Sequence, residues 1–209
     1  MGFAARVGDN KLYRYSTNLL GRHQADNALT AIMAVRNFTR LAGVPLTQEM
    51  IRKGIANTQW PGRFEKIRDD PQVYIDIAHT PKAAATLTET LRLLFPNQKI
   101  LVMVGAHEVR TRENAKGIIE NLVSDASIVM ATRSYHKGMH VHVVKTLARE
   151  ARPGIEVHKS DDLAKALEMA IALAKSQNML LLVAGSLALA AKTKELVAGC
   201  SPKNLLFFN

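Results

Sequence analysis

The chain has 209 residues, of which 47% are hydrophobic and 22% are charged, and its 28 lysines and arginines against 18 aspartates and glutamates give a formal net charge of +10. This composition predicts a globular protein with one or two cores in a cytoplasmic setting. The sequence has no apolar run of membrane length and no signal-peptide or myristoylation pattern. Cys200 is its single cysteine, so an internal disulfide cannot form. The charge favours anionic ligands, but the bases are scattered and aromatic residues are only 5%, which argues against nucleic-acid binding.

The first third of the chain is predicted to form a strand and two helices. Residues 11–16 alternate as a strand does, and "NLLGRHQADNALTAIMAVRNFTRLAG" predicts a helix of about five turns, since apolar residues recur at spacings of three and four. The apolar positions of that helix are Ala28, Ile32, Val35 and Leu41. Gly43 would end it, and "LTQEMIRKGIAN" predicts a second helix capped by Thr47. The break "TQWPGR" predicts a boundary between a domain at 1–59 and a domain at 60–209.

Strands and helices alternate after that break. Strands are predicted for "FEKIR", "QVYID", "KILVMVGA", "SIVMAT", "IEVH" and "MLLLVAGS", with helices between the later strands and after the last one. Because most of these strands are continuous apolar runs, the pattern predicts a mostly parallel, doubly wound α/β sheet. Ligands bind at the carboxyl ends of such strands, where we expect Asp76, His79, Gly105, Thr132 and Ser186 to converge on one crevice.

One segment, "YIDIAHTP", places an acid and a histidine where a strand gives way to a helix. Asp76 could accept a hydrogen bond from a ribose hydroxyl or position a metal-bound water, and His79 could contact an anion or shuttle a proton. The structural alternative is that Asp76 caps the following helix and His79 is an ordinary surface residue.

Three further segments carry ligand-binding chemistry, each with a structural alternative. In "WPGRFE", the Arg63 guanidinium suits a phosphate, or the turn is a hinge with a surface arginine. In "LLGRHQADNALTA", Gln24 and Asn27 share a helix face, or the segment is an ordinary capped helix start. In "LLVAGSLALAA", the amides and hydroxyl of Gly185 and Ser186 could hold a carboxylate, or the segment is a small-residue turn.

Other patterns point away from particular chemistries. His136, His140 and His142 include a pair at metal-ligand spacing, but no cysteine or carboxylate accompanies them, so we interpret them as exposed histidines. The sequence contains no G-x-x-x-x-G-K-[ST] P-loop, and the absence of a G-x-G-x-x-G fingerprint after a strand argues against a nicotinamide or flavin enzyme.

Taken in order, "GRHQADNALTAI", "WPGRFE", "DIAHTP" and "AGSLALAA" resemble the carboxyl-terminal part of the folylpolyglutamate synthase / dihydrofolate synthase family, within the Mur ligase superfamily. The resemblance runs from about residue 14 to residue 195. It implies a Rossmann-like carboxyl-terminal domain at 60–209 and, at 1–59, the tail of a central ATPase domain. It also implies an ATP- and magnesium-dependent ligase that forms an acyl phosphate on a folate or pteroate carboxyl and adds glutamate to it.

The resemblance also implies roles for single residues. Asn27, Arg63 and Asp76 would contact ATP, while His79 and Ser186 would help to hold the incoming glutamate. No catalytic residue and no metal ligand is expected in this chain. The P-loop half is expected to come from a longer gene product or a partner chain, so we read the sequence as a fragment, a split subunit or a degenerate paralogue that is inactive alone.

Departures from the family pattern leave alternatives open. Ile77 and Thr80 stand where the folate enzymes carry glycine and asparagine, and "AHTP" is closer to peptidoglycan Mur ligases and cyanophycin synthetase. The segment "AHEVRTREN" lacks the D-K-D that usually follows the strand before it. A Mur-type or cyanophycin-like ligase and a non-catalytic nucleotide- or partner-binding module are therefore alternatives. On residues 20–56 we expect exposed apolar surface, or self-association that covers it.

Overall fold

The computed structural model describes residues 1–7, 11–108 and 111–199. The chain divides into two compact units, Met1–Pro61 and Gly62–Asn209. Across the described ranges, no helix combines the length and apolar character needed to cross a membrane. Cys200 lies outside the described residues, as do residues 109 and 110 of the segment that lacks the D-K-D pattern.

The first unit consists of a two-stranded antiparallel sheet and two helices. Its elements are β1 (Gly2–Arg6), β2 (Leu12–Ser16), α1 (Arg22–Leu41) and α2 (Gln48–Ala56). Its small core is formed by Val7, Tyr15, Ile32 and Ile51. Strand β1 is absent from the sequence prediction because "GFAAR" has little β propensity. It is stabilised by pairing with β2, where Phe3 stacks on Tyr15 with ring centroids 5.4 Å apart.

Helix α1 leaves much of its apolar face exposed. Ile32 is buried, but Val35 is 46% exposed and Leu41 is 77% exposed. The exposed apolar surface expected on residues 20–56 is therefore present, because the first unit covers only part of this 20-residue helix. Helix α2 begins as predicted, since the Thr47 hydroxyl accepts a hydrogen bond from the Met50 amide at 3.2 Å.

Within its described residues, the second unit is a six-stranded sheet with five helices. Its strands are β3 (Glu65–Asp69), β4 (Gln72–Ile75), β5 (Ile100–Val104), β6 (Ile128–Thr132), β7 (Glu156–Ser160) and β8 (Leu180–Ala184). Its helices are α3 (Pro81–Leu94), α4 (Arg112–Val123), α5 (Val141–Ala151), α6 (Leu163–Ser176) and α7 (Leu187–Val197). The strand order is β3-β4-β8-β5-β6-β7, with β3 antiparallel to β4 and the other pairs parallel. The predicted mostly parallel α/β sheet is confirmed.

The three central strands β5, β6 and β8 are buried along their whole length. Helices α6 and α7 share one hydrophobic core with the sheet, and α3, α4 and α5 pack side by side. Strands covered in this way need no polar face, which explains their continuous apolar sequences. Because these strands are parallel, the segments that follow β4, β8, β5 and β6 emerge at one edge, which we call the carboxyl edge.

Candidate functional site

Asp76 follows β4 directly and is fixed at the carboxyl edge by its own backbone and by two amides. Its amide donates to the Val183 carbonyl at 3.0 Å, which continues the pairing of β4 with β8. Its carboxylate accepts from the Phe64 amide at 2.8 Å and from the Ala78 amide at 2.7 Å. The side chain therefore joins the turn before β3 to the loop after β4, and it does not cap α3.

Opposing effects act on the pKa of the Asp76 carboxyl. Burial raises its pKa above the ordinary value of 3.8, while hydrogen bonds from the Phe64 and Ala78 amides and the charges of Arg63 and His79 lower it. The desolvation effect is the largest, so the net direction is upward. Phe64 follows Arg63 in the chain and donates to the Asp76 carboxylate, which lies three residues before His79, so the structure brings three of the predicted site residues close together.

Arg63 occupies a turn whose backbone is unusual on both sides. Gly62 has φ of 74° and Phe64 has φ of 44°, a region that non-glycine residues rarely adopt. The Gly62 amide donates to the Glu65 carboxylate at 2.8 Å, and its carbonyl accepts from the Ile77 amide at 3.0 Å. In the described part of the chain, no hydrogen bond or ion pair engages the half-buried Arg63 guanidinium. This constrained geometry suits an anion-binding turn better than a free hinge.

His79 is half-buried, and its ring is oriented by the backbone. Its Nδ1 lies 2.9 Å from the Ile77 carbonyl, which can only accept, so Nδ1 donates and Nε2 is the acceptor nitrogen of the neutral ring. Helix α3 is capped by Thr80, whose hydroxyl accepts from the Ala83 amide at 3.2 Å. Thr80 therefore does the capping that the structural alternative assigned to Asp76.

Ser186 lies at the end of the neighbouring strand β8 and is 2% exposed. Its hydroxyl accepts from the Leu189 amide at 3.0 Å, which caps α7, and lies 2.7 Å from the Ser134 hydroxyl. Ser134 follows β6 and was not predicted from the sequence. The rule that loops after parallel strands converge could have identified it, since it stands two residues beyond the end of β6.

The remaining strand ends have structural roles. Gly185 has φ of 116°, and a Cβ atom there would lie 2.6 Å from the Gly105 carbonyl oxygen. Gly185 is therefore required by the close approach of the loops after β8 and β5, and Gly105 is required by its approach to β6, since a Cβ atom there would lie 2.9 Å from the Thr132 carbonyl oxygen. The Thr132 hydroxyl donates to the Ser160 carbonyl at 3.0 Å, which ties β6 to β7.

Asn27 belongs to the first unit, whereas the other four predicted site residues belong to the second. It is exposed on α1, and its amide donates to the Gln24 side-chain oxygen at 3.1 Å. Gln24 is 5% exposed, and its amide nitrogen lies 3.0 Å from His23 Nε2. Helix α1 has no side-chain cap at Gly21 and no acid in its first turn. The alternative of ordinary side-chain capping is therefore wrong, and this helix end retains its preference for anions.

Three histidines follow β6, and two of them stack on each other. His140 and His142 are exposed and stack with ring centroids 5.2 Å apart, and the His140 ring accepts from the His142 amide. His136 is only half-buried. In the ranges the structure describes, no three His, Cys, Asp or Glu residues are grouped as metal ligands would be.

Comparison with known proteins gives three findings. The family profile "Mur ligase, glutamate ligase domain" matches residues 62–187. A dihydrofolate synthase/folylpolyglutamate synthase of Bacillus subtilis is 33% identical over 98 residues, which are 47% of this chain and 23% of that protein. A diaminopimelate-adding UDP-N-acetylmuramoyl-L-alanyl-D-glutamate ligase of Aquifex aeolicus is 35% identical over 114 residues, which are 54% of this chain and 22% of that protein.

The fold has a close counterpart among solved structures. The Mycobacterium tuberculosis folylpolyglutamate synthase complexed with ADP and AMPPCP superimposes with a TM-score of 0.78 and 26% identity. The match covers 90% of this chain and 43% of that chain. The chain thus spans less than half the length of the relatives that it matches.

Proposed function

Because the chain belongs to the Mur ligase family through its glutamate ligase domain, we propose that it is the carboxyl-terminal region of an ATP-dependent ligase that adds L-glutamate to a folate-type acceptor. One observation carries the proposal: the amide of Phe64, which follows Arg63, donates to the Asp76 carboxylate three residues before His79, and Ser186 follows the adjacent strand β8. The folylpolyglutamate synthase structure bound to ADP and AMPPCP supports nucleotide binding by this fold.

In the second unit, the nucleotide would be held by Arg63 and Asp76; a contact of Asn27 with ATP stays an expectation from the family resemblance. The Arg63 guanidinium can donate two parallel hydrogen bonds to a phosphate, and no described residue already engages it by a hydrogen bond or ion pair. Each Asp76 oxygen accepts one backbone amide and keeps a lone pair for a ribose hydroxyl. These residues therefore fit a nucleoside triphosphate.

The amino acid would be held by His79 and Ser186. In the proposed reaction, ATP phosphorylates the acceptor carboxyl, and the glutamate amine attacks the resulting acyl phosphate to give an amide and inorganic phosphate. The attacking amine must first lose a proton. His79 Nε2 is the acceptor nitrogen of the neutral ring, so it can accept a hydrogen bond from the incoming ammonium group.

The P-loop and the ligands of Mg²⁺ would come from residues other than those assigned above to ATP and glutamate. Transfer of the γ-phosphoryl group from ATP to the acceptor carboxyl, which releases ADP, needs a P-loop, and the proposal assigns that P-loop to an amino-terminal half on a longer or a separate chain. The described residues offer no group of three metal ligands for Mg²⁺, so no step of the proposal uses a metal bound by this chain.

A second candidate is a Mur-type ligase that acts on a peptidoglycan precursor. Its support is the 35% identity to the Aquifex aeolicus diaminopimelate-adding ligase, together with Thr80 in the strand-to-helix segment. Binding of a folate analogue and of a UDP-muramoyl peptide, measured side by side, separates the two candidates. Tighter binding of the UDP-muramoyl peptide would reject the folate assignment.

Calorimetry with ATP and with L-glutamate tests the proposed function on the 209-residue chain. We expect weak ATP binding that is lost in Arg63→Ala and Asp76→Ala and kept in Arg149→Ala, which removes an exposed arginine from the last turn of α5. Where the chain alone binds no ATP, the titration is repeated with a P-loop partner chain. Equal affinity in all three variants under those conditions would reject the assigned nucleotide site.

A further inference from the structure

Lys192 on α7 is a buried lysine, 6% exposed. Among the described residues, no hydrogen-bond partner is found for its Nζ atom. The Nζ atom lies 4.9 Å from the centroid of the Tyr135 ring, which is a cation–π contact.

Such an arrangement is unfavourable for the folded protein by itself. A buried ammonium group without a counter-charge loses its hydration, and one aromatic ring replaces only part of that interaction. An apolar residue of similar length would fill the same space without this cost. The second lysine nearby, Lys194, shows the usual solution, since it forms an ion pair with Glu65 at 2.6 Å. A retained, unpaired, buried cation is therefore a candidate binding group.

The direction of the side chain places this amine near the carboxyl edge. Side chains on a helix point toward its amino terminus, and Ala188 lies one turn before Lys192 on the same face. The small Ala188 leaves room for the lysine stem to run toward the start of α7. There the amine meets Tyr135, whose neighbour Ser134 forms the hydrogen bond with Ser186. Lys192 and Ser186 thus approach the same loop, the one that follows β6.

We propose that Lys192 is the counter-charge for a carboxylate group of the amino-acid substrate, bound between the start of α7 and the loop after β6. The inference rests on the proposed function and adds a specificity residue to it. Tyr135 is 52% exposed, so its ring can turn away from the amine without unpacking the core. The incoming carboxylate then replaces a weak π contact with a charge-assisted hydrogen bond.

Lysine side-chain NMR on the 209-residue chain tests the proposal directly. The ring of Tyr135 should displace the Lys192 ε-methylene signal upfield from those of the exposed lysines, and Lys192→Met identifies the signal by its absence. Titration with L-glutamate to tens of millimolar should move this signal in a saturable way. A signal that does not respond to L-glutamate overturns the proposal, whether or not ATP binds.

Three ligands and two variants complete the experiment. We expect Lys192→Met to weaken L-glutamate binding about tenfold, whereas Lys165→Met, which removes an exposed lysine of α6, leaves that affinity unchanged. L-glutamine and γ-aminobutyrate each lack one carboxylate of glutamate, and the one that fails to move the Lys192 signal identifies the carboxylate that is bound. Equal glutamate affinity in Lys192→Met and the wild type overturns the proposal.

ATP is titrated separately so that the two proposals can fail independently. Movement of the Lys192 signal by ATP alone, with none by glutamate, would assign the amine to a phosphate and reject the carboxylate. A glutamate response without any ATP binding would support the role of Lys192 and count against the nucleotide site formed by Arg63 and Asp76.

Discussion

The hydroxyls of Ser134 and Ser186 lie 2.7 Å apart in a buried hydrogen bond between the loop after β6 and the residue that caps α7. The two serines are 52 positions apart in the chain. They meet because β6 and β8 both pair with β5 and end at the same edge of the sheet. This contact fixes the loop that carries Tyr135, and it positions the Ser186 hydroxyl that we assign to the amino acid.

The serine pair predicts measurable coupling in stability. Ser186→Ala removes both the cap of α7 and the contact with Ser134, so we expect it to lower the free energy of unfolding by about 2 kcal/mol. Ser134→Ala should cost about 1 kcal/mol, and the double variant should show a coupling of about 1 kcal/mol in urea unfolding. Thr111→Ala removes a cap that has no contact with Ser134, so it should add to Ser134→Ala without coupling. Additive effects for the serine pair would contradict the buried hydrogen bond.

Gly185 predicts a large steric effect that can be separated from backbone strain. Gly185→Ala places a Cβ atom 2.6 Å from the Gly105 carbonyl oxygen and also meets a φ of 116°, so we expect a loss of about 3 kcal/mol or more. Gly154→Ala is the matched control, since its φ is 82° but nothing lies within 4 Å of the added atom. It should cost only about 1 kcal/mol. Equal losses in the two variants, measured by urea unfolding, would show that the loops after β5 and β8 can separate.

The sequence predicts the second unit well because its local signals agree with its tertiary structure. Helix α3 begins at Pro81 and ends at Leu94, the bounds expected from "PKAAATLTETLRLL", and Thr80 caps it. The buried strands β5, β6 and β8 were recognisable because both of their faces pack against other elements. Helices between them then leave a parallel sheet as the natural arrangement.

Features that depend on distant contacts could not be predicted from local sequence. Strand β1 exists through its pairing with β2, which its own sequence does not indicate. The sequence placed Asp76 and Ser186 at the correct edge. It gave no sign that Ser134 would contact Ser186, or that Lys192 would be buried, because exposed and buried lysines look alike in a sequence.

The raised pKa of Asp76 predicts a pH dependence of stability. The folded carboxyl keeps its proton to a higher pH than the unfolded one, so between the ordinary value of 3.8 and the raised folded value the folded state binds more protons. We therefore compare the free energy of unfolding of the wild type with that of Asp76→Asn. The difference should favour the wild type most below pH 3.8 and should decrease as the pH rises through the folded pKa of Asp76. Urea unfolding of both proteins across that range measures the difference.

Carbon-13 NMR of the Asp76 carboxyl provides the direct test. The titration midpoint should lie above 3.8, and Arg63→Ala should raise it further, because the Arg63 charge lowers the Asp76 pKa in the folded protein. A midpoint at or below the ordinary value, or no change in Arg63→Ala, would contradict both the burial of the carboxyl and its coupling to Arg63.

Glu65 is predicted to position Arg63 without contacting the nucleotide. Its carboxylate accepts from the Gly62 amide at 2.8 Å and from Lys194 Nζ at 2.6 Å, so it holds the turn that contains Arg63. Glu65→Gln loses the charge that pairs with Lys194, and we expect ATP affinity to fall about fivefold, or ~1 kcal/mol, in calorimetry. Glu49→Gln removes one partner of the exposed Glu49–Lys53 pair and should leave affinity unchanged. An unaltered affinity in Glu65→Gln would mean that the turn is held by its backbone alone.

The exposed apolar side chains of α1 are predicted to promote self-association. Phe38 is 69% exposed and Leu41 is 77% exposed, and the exposed Val35 precedes Phe38 by three residues, so these side chains lie along one face of the helix. Exposed apolar side chains grouped in this way promote association and bind apolar dyes. Phe38→Lys combined with Leu41→Lys should lower fluorescence of the dye ANS and any self-association in sedimentation, while the free energy of unfolding changes by no more than about 0.5 kcal/mol.

Ala34→Lys combined with Asn37→Lys adds the same charge at exposed positions without removing a large apolar side chain, so it separates apolar contact from repulsion. If this control pair lowers association as much as the Phe38 and Leu41 pair does, charge repulsion explains the effect and the apolar surface on α1 does not drive association.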